Sequence, residues 1–422
     1  MNPYKKIIFP LSSMMTAVAA TAQNRFPKPD FESGYQYPEM HYLIPNEALW
    51  TAIDVILLVI MMSIVAWAIL QKRTRKPVIW VSILSVGYFG FFRYGCVCSI
   101  GAIQNVSLAL IDENYFIPLP VLLFFMLPIS FAFLFGRVFC AGVCPFGALQ
   151  ELVNLKNYKL SKSVTAVLGM IPWIYLIFAV LYAVTRSSFL ICRFDPFVGI
   201  FRLGGDIGLI TFGILLLIAS IFTGRPFCRF LCPYGALLSL FSRVSILRIE
   251  LTQKPCINCE LCHNACPVDA IKPPYDNKVK ESRMRGVKRI VNYFVILPLM
   301  ITAAALLMRS VSGDLSRANK DVKLYDMVMQ YEADPQDILS VELEAFYGQG
   351  GTVEELTERH DQIQNDFKFY ATIAGALIGL LVGITLINLS IKRTRKLYEI
   401  DHKDCVACGR CFSYCPQNTA RR

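Results

Sequence analysis

Residues 256–267 of this chain read CINCELCHNACP, and residues 405–416 read CVACGRCFSYCP. Both stretches have the spacing C-x2-C-x2-C-x3-C-P, which is a ligand pattern of [4Fe–4S] clusters. In this pattern the first three thiolates bind one cluster, and the fourth thiolate binds the other cluster. Two copies of the pattern therefore predict two [4Fe–4S] clusters whose fourth ligands are exchanged between the copies.

We call 256–267 and 405–416 the two ferredoxin-type runs. The exchanged ligation assigns one cluster to Cys256, Cys259, Cys262 and Cys415, and the other cluster to Cys405, Cys408, Cys411 and Cys266. The rival interpretations are structural zinc sites and disulfides. Zinc sites usually end in a paired C-x2-C or in histidines, rather than in four cysteines followed by proline. The spacing favours iron–sulfur clusters and the transfer of single electrons.

The composition is that of a membrane protein. Of the 422 residues, 55% are hydrophobic and only 17% are charged, and the mean hydropathy is +0.47. A soluble protein averages about 25% charged residues. The net charge is +11, but the basic residues cluster beside apolar segments, at 72–76, 285–289 and 392–396. Such clusters are typical of cytoplasmic loops of membrane proteins, and this placement argues against nucleic-acid binding.

Seven segments are apolar enough to be candidate membrane spans, which need roughly 20 residues. They are 48–71, 78–95, 118–136, 165–185, 206–223, 290–308 and 370–391. The distribution of Lys and Arg places the loops 72–77, 137–164, 224–289 and 392–422 inside, and the loops 99–117 and 309–369 outside. We therefore predict an all-α polytopic protein of about seven transmembrane helices in the lipid bilayer of the bacterial inner membrane. The two ferredoxin-type runs would form a small cytoplasmic two-cluster ferredoxin-like head.

The apolar core contains an internal repeat. Residues 136–149 read GRVFCAGVCPFGAL, and residues 224–237 read GRPFCRFLCPYGAL. The match predicts a parallel two-fold repeat over 78–155 and 165–245. Its cysteines are Cys140, Cys144, Cys228 and Cys232, which we call the core cysteines. We expect them to bind a further Fe–S centre. The alternative is that they only pack, since buried free cysteines often act as small apolar residues.

A third group of cysteines falls on the predicted outer side, at Cys96, Cys98 and Cys192. A metal site and, in an oxidising compartment, a disulfide are the two interpretations of this group. An electron carrier that crosses roughly 30 Å of hydrocarbon needs an intermediate centre or an external cofactor. Haem is not expected, because none of the histidines, which are His41, His263, His360 and His402, lies within a predicted span.

These features divide the chain into segments. Residues 1–22 are predicted to be a signal peptide, with an uncleaved tether as the alternative. The other segments are an outer extended segment at 23–47, the transmembrane core at 48–245, a cytoplasmic ferredoxin-like half at 246–289, a transmembrane helix at 290–308, an outer acidic helical segment at 309–369, a transmembrane helix at 370–391, and a second cytoplasmic ferredoxin-like half at 392–422.

Thr352 and Glu355 have the spacing of a helix start in the acidic segment. That segment is either a connector or a docking surface for a redox partner.

The repeated G-R-x-F-C-x3-C-P-x-G motif, the outer cysteines and the two ferredoxin-type runs together resemble the membrane polyferredoxins. These include the NosR/NirI-like, NapH-like and CcoG-related 4Fe-4S binding membrane proteins. The resemblance covers roughly 78–270 and 400–416 and is closest to the membrane half of NosR-like proteins. It implies membrane electron transfer, with the two runs as cluster ligands. NosR-like proteins also carry a flavin-binding domain, and no such flavin-attachment site is found in this sequence, which implies a separate flavoprotein.

The chain is thus predicted to be a membrane-bound iron–sulfur electron-transfer protein. It would pass electrons between a cytoplasmic donor or the quinone pool and a periplasmic flavin-binding redox protein. The cytoplasmic donor would be a ferredoxin or flavodoxin. We expect an electron-transfer subunit without catalytic residues rather than a self-contained enzyme. The alternatives are an assembly factor that reduces a metal or thiol for a respiratory enzyme, and a redox-sensing regulator.

Overall fold

The structure is a computed structural model that describes residues 48–95, 99–155, 157–202, 204, 206–251, 256–275, 283–333, 340–391, 395 and 397–417. The predicted signal peptide and the predicted outer segment at 23–47 lie outside the described residues. The first part of the core contains α1 (Ala48–Leu70), α2 (Lys76–Ser85), a π-helix (Val86–Phe92), α3 (Ser99–Ala109), α4 (Leu119–Phe135), a second π-helix (Phe139–Val143) and α5 (Pro145–Val153).

The second part of the core contains α6 (Lys162–Leu168), α7 (Ile171–Val184), α8 (Leu190–Arg193), α9 (Pro196–Arg202), α10 (Ile207–Phe222), α11 (Pro226–Phe230) and α12 (Pro233–Arg243). The remaining elements are α13 (Leu261–Ala265), β1 (Ile271–Lys272), α14 (Arg283–Ser310), α15 (Ser312–Ser316), α16 (Lys320–Ala333), α17 (Val341–Gly348), α18 (Val353–Ser390), β2 (Glu399–Ile400) and α19 (Arg410–Tyr414). The described chain is therefore mostly helical, in line with the predicted all-α class.

Four helices among the described residues are long and apolar enough to cross a membrane. They are Leu49–Leu70, Lys162–Val184, Met284–Ser310 and Val353–Ser390. Three shorter apolar helices of 10–17 residues cover Lys76–Phe92, Leu119–Phe135 and Ile207–Phe222. Each predicted span overlaps one of these seven helices, but only four of them reach the length that a span needs. The membrane character is supported, whereas the count of seven spans remains a prediction.

The two copies of the sequence repeat begin a helix in the same way. Pro145 and Pro233 lie in the first turn of α5 and α12, where the missing proline N–H removes no helical hydrogen bond. Cys144 and Cys232 are the N-cap residues, and both have extended backbone, with ψ of 118° and 110°. The Cys-Pro step therefore places one core cysteine at the N-terminus of each helix.

Helices α14 and α18 pack closely along a row of glycines. Gly375, Gly379 and Gly383 of α18 are spaced by four residues, and each faces α14. A Cβ atom added to Gly379 would lie 2.7 Å from the Cα atom of Ile301, which leaves no space for a side chain. Small residues at this spacing let two helix backbones approach each other. The packing brings together the two helices that lead to the two ferredoxin-type runs.

The two runs join in a small head. Strands β1 and β2 pair in antiparallel fashion, with Ile271 opposite Ile400 and Lys272 opposite Glu399. Helices α13 and α19, one from each run, also contact each other. The head is therefore assembled from segments that are separated by α14 to α18 in the sequence.

The acidic segment is helical, as predicted, and packs on itself. Thr352 caps α18 by accepting a hydrogen bond from the backbone N–H of Glu355 at 3.4 Å, which confirms the predicted helix start. Val328, Leu343 and Leu356 form a small buried cluster between α16, α17 and α18. His360 stacks on Tyr325, with ring centroids 4.0 Å apart. These contacts explain the fold of the segment.

Candidate iron–sulfur sites

The first predicted ligand set surrounds one cavity. Cys256, Cys259, Cys262 and Cys415 all line it, together with Leu251, Leu397 and Tyr398. Cys259 is exposed and the other three thiols are half-buried. Burial raises the pKa of the Cys262 thiol, and the thiols of Cys415, Cys256 and Cys259 are close enough to raise it further. The structure thus brings Cys415 of the second run to three cysteines of the first run.

The second predicted ligand set packs against the main hydrophobic core. Burial raises the pKa of Cys411 well above its ordinary value, and the neighbouring thiols of Cys408, Cys405 and Cys266 add to this effect. Burial likewise raises the pKa of Cys405 to about 12. The raised pKa values of Cys405 and Cys411 favour the protonated thiols at neutral pH in the absence of metal. Iron binding must displace their protons, because only thiolates are ligands.

Both runs follow the same backbone path. In each run the second and fourth residues after the first cysteine have positive φ, at Asn258 (54°) and Glu260 (62°) and at Ala407 (52°) and Gly409 (71°). Three of these four residues are not glycine, although each such residue in this conformation costs of the order of 1 kcal/mol. The shared path therefore reflects the shape of the loop, which is suited to wrapping three thiols around one centre.

The four core cysteines also converge. All four are buried. Cys140, Cys228 and Cys232 all lie close enough to Cys144 to interact with it electrostatically. Gln150 Nε2 lies 3.6 Å from Cys228 Sγ, and Gln150 Oε1 accepts a hydrogen bond from the backbone N–H of Phe227 at 3.1 Å. The repeat thus gathers two thiols from each copy into one buried site.

Within the described parts of the chain, no group of three or more His, Cys, Asp or Glu side chains is close enough to hold one metal ion. The iron–sulfur interpretation of the two runs rests on their C-x2-C-x2-C-x3-C-P spacing, and ligation by each set of cysteines remains a prediction.

A buried carboxylate that sequence reasoning missed connects these sites. The carboxylate of Glu151 in α5 accepts charged hydrogen bonds from three arginines, which are Arg225 at 2.9 Å, Arg410 at 2.7 Å and Arg75 at 2.6 Å. Arg225 belongs to the second copy of the repeat, Arg410 lies beside Cys411 in the head, and Arg75 precedes α2. No local motif marks Glu151, because its partners lie 74 or more positions away.

The arginines of the repeat lie between the head and the core cysteines. Arg225 is fully buried and donates to the carbonyl oxygens of Cys140 and of Ala141 in the first copy. Its charge acts on both Cys408 of the head and Cys228 of the core. The head also contacts the core at Gly224, where an added Cβ would lie 2.6 Å from the carbonyl carbon of Pro267. The second ligand set and the core cysteines are therefore neighbours.

His263 lies beside the first ligand set, and its Nδ1 lies 2.6 Å from the carbonyl oxygen of Ile271. The backbone of residue 263, rather than its ring, hydrogen-bonds the Cys262 thiol. In the outer group, Cys192 is exposed on α8, and Cys96 and Cys98 lie outside the described residues. A metal site or a disulfide there remains a prediction.

Comparison with known proteins supports the interpretation of both regions. A 4Fe-4S binding domain family (Fer4_5) matches residues 117–163 and 206–250, one match in each copy of the repeat. A second 4Fe-4S binding domain family (Fer4) matches residues 253–272 and 398–420, which contain the two ferredoxin-type runs. No solved structure matches the chain significantly.

Several characterised or named proteins are similar over part of the chain. The "Regulatory protein NosR" of Stutzerimonas stutzeri is 30% identical over 220 residues, which is 48% of this chain and 30% of that protein. The "Putative electron transport protein YccM" of Escherichia coli is 31% identical over 156 residues, 33% of this chain and 43% of that protein. The "Ferredoxin-type protein NapH" of Haemophilus influenzae is 27% identical over 158 residues, 36% of this chain and 55% of that protein.

The matched region thus spans between 30% and 55% of the length of these relatives. The resemblance predicted from the sequence motifs is confirmed: the chain contains 4Fe-4S binding domains of both kinds, and its homologues are membrane polyferredoxin-type proteins.

Proposed function

We propose that this protein carries single electrons between a partner at the surface of its head and a partner on the other side of the membrane. The observation that carries the proposal is the position of Arg225. Its guanidinium group is close enough to both Cys408 of the head and Cys228 of the core to act on both thiols. We infer that the three sets of thiols form a row, because Cys262 of the first set also acts on Cys411 of the second set.

The row has an exposed end and a buried end. Cys259 of the first ligand set is exposed, whereas Cys405, Cys408 and Cys411 of the second set are half-buried and pack against the main hydrophobic core. The core cysteines are buried in turn. Iron–sulfur clusters held by these thiolates supply one-electron oxidation and reduction. A surface partner would therefore meet the first set, and the core cysteines would form the inner end of the row.

The identities of the two redox partners are inferred from the sequence. The surface partner would be a cytoplasmic ferredoxin or flavodoxin, since the basic loops place the head inside. Membrane quinone is the other source of electrons that we consider. The partner on the outer side would be a periplasmic flavin-binding redox protein. The name of the putative electron transport protein among the relatives supports the electron-transfer role.

Two other roles have one observation each in their favour. An assembly factor would use an accessible outer thiol, and Cys192 is exposed. A redox-sensing regulator would fit the name of the relative from Stutzerimonas stutzeri, regulatory protein NosR. Both roles would need the clusters but would not need sustained electron flow across the membrane. Net electron flow is therefore the property that separates the proposed function from these alternatives.

The test uses anaerobically purified full-length protein in liposomes that enclose a one-electron acceptor dye. Reductant is added outside, and reduction of the enclosed dye is followed by absorbance. We expect dye reduction with the wild type, and iron and acid-labile sulfide of at least about eight atoms each per chain. Cys192→Ser should leave the rate unchanged. Protein that holds its iron but does not reduce the enclosed dye would contradict the proposed function.

A further inference from the structure

Two arginines occupy equivalent positions in the repeat but have different surroundings. Arg137 and Arg225 each follow the glycine of the G-R-x-F-C motif, and both are buried. Each also crosses toward the other copy. Arg225 lies against Gly147 of the first copy, and Arg137 Nη2 would lie 3.1 Å from a Cβ added to Gly235 of the second copy. The motif alone gives no reason for the two arginines to differ.

Arg225 has a carboxylate partner. Its Nε donates to Glu151 at 2.9 Å, and its two terminal nitrogens donate to the carbonyl oxygens of Cys140 and Ala141. Every nitrogen of this guanidinium group therefore has an acceptor. The residue that occupies the position of Glu151 in the second copy is Ser239. Serine carries no charge, so the repeat supplies no matching carboxylate for Arg137.

Among the described residues, Arg137 has neutral acceptors only. Its Nη1 donates to the carbonyl oxygen of Lys403 in the head at 3.2 Å, and its Nη2 lies 3.9 Å from Cys140 Sγ. Its Nε is buried and has no hydrogen-bond partner among the described residues. The cavity beside it is lined by Ser242, Ser245, Arg248, His402 and Cys405, among others, and by no acidic side chain.

The charge of Arg137 reaches thiols on both sides of the boundary between head and core. It lowers the pKa of Cys405, although burial dominates and raises that pKa to about 12. Arg137 also contacts Cys140 directly. A positive charge in a buried, weakly polarisable environment acts more strongly than one in water. Charge and hydrogen bonds near cluster sulfur are among the factors that set the reduction potentials of iron–sulfur centres.

We propose that Arg137 is a positioning residue whose uncompensated charge raises the reduction potential of two centres, one held by the Cys405 set of the head and one held by the core cysteines. The inference rests on the proposed function, because it assumes that both sets hold iron–sulfur clusters. The physical reason is that a cluster gains negative charge on reduction, and a nearby cation stabilises the reduced form. Arg137 would thereby stabilise the reduced form of the two centres at the boundary between head and core.

The test is a redox titration of purified full-length variants, followed by EPR spectroscopy, with iron content measured on the same samples. Arg137→Gln removes the charge and should shift the midpoint potentials of both centres to lower values. Arg137→Lys keeps the charge and should return both potentials toward those of the wild type. Arg248→Gln is the matched control, because Arg248 lines the same cavity but is exposed, and solvent screens its charge. It should leave both potentials unchanged.

A second variant leaves Arg137 in place. Ser239→Glu should supply the carboxylate that the second copy lacks, and it should also lower both potentials. Potentials equal to those of the wild type in Arg137→Gln and in Ser239→Glu, at full iron content, would overturn the proposal. An equal shift in Arg137→Lys and Arg137→Gln would overturn it too, because shape rather than charge would then be responsible. If the wild-type protein lacks the core centre, the proposed function is refuted. The midpoint potential of the Cys405 centre would then still test the effect of Arg137.

Discussion

Arg225 and Glu151 form a buried ion pair that joins the two copies of the repeat. Arg225 Nε lies 2.9 Å from Glu151 Oε2, and the two side chains are 0% and 6% exposed. Arg75 and Arg410 bind the other carboxylate oxygen, Oε1, at 2.6 Å and 2.7 Å. A single carboxylate thus receives three guanidinium groups from three parts of the chain. Its loss would leave buried cations without their counter-ion.

We expect Glu151→Gln to destabilise the protein by about 3–5 kcal/mol, because a buried ion pair that loses one partner leaves an uncompensated charge. The measurement is the midpoint of thermal unfolding in detergent. Glu355→Gln is the matched control, since Glu355 pairs with Arg359 on the exposed surface of α18, where such pairs contribute about 0–1 kcal/mol. A Glu151→Gln midpoint no lower than that of Glu355→Gln would show that Glu151 does not stabilise the fold.

The same carboxylate predicts a loss of stability in acid. Burial by itself would raise the pKa of Glu151, but Arg225, Arg410 and Arg75 together hold it below its ordinary value of 4.5. A carboxyl group with a lowered pKa stabilises the folded state above its unfolded pKa, and this contribution is lost as the pH falls through the folded pKa. The unfolding midpoint of the wild type should therefore fall more steeply below pH 4.5 than that of Glu151→Gln. Parallel pH profiles for the two proteins would argue against this linkage.

Exchanged ligation makes the C-terminal run essential to the cluster of the first run. Cys415 lines the same cavity as Cys256, Cys259 and Cys262. Cys415→Ser, or deletion of residues 400–422, should remove or strongly perturb the EPR signal of that cluster. Ser413→Ala, two positions away in α19, is the matched control and should keep the signal. An unperturbed first cluster in the deletion variant would mean that each run is self-contained.

The core cysteines should behave as one site. Cys144 and Cys232 come from different copies of the repeat, yet both lie within the electrostatic reach of Cys140 and Cys228. Cys144→Ser and Cys232→Ser should each abolish the same spectroscopic signal and the reduction of dye enclosed in liposomes. The two head clusters should persist, because their ligands are complete without the repeat. Variants that retain every Fe–S signal and full dye reduction would show that these cysteines only pack.

The distribution of Lys and Arg predicts the sidedness of the chain. A protease site inserted at Gln349, in the turn between α17 and α18, should be cleaved from outside in intact spheroplasts. A tag attached after residue 422 should become accessible only after the membrane is opened. Protection of the site at Gln349 in intact spheroplasts would overturn the seven-span arrangement and the cytoplasmic location of the head.

Local features of the sequence determined the predicted clusters, the apolar helices and one helix start. The ligands of each run lie within a few positions of one another, so residue type and spacing predict both the clusters and the family. Apolar helices are recognised from local composition, and the helix start at Thr352 depends on a residue only three positions away. Even so, three of the seven apolar helices among the described residues fall short of the length of a span.

The tertiary structure alone decided the surroundings of the two repeat arginines. The motif is the same around Arg137 and Arg225, yet one has Glu151 as a partner and the other has only neutral acceptors. Glu151 itself could not be singled out in advance, because Arg225 and Arg410 lie 74 and 259 positions away from it. The spacing of ligands along the chain is a local property, whereas the compensation of a buried charge depends on which distant segments fold against it.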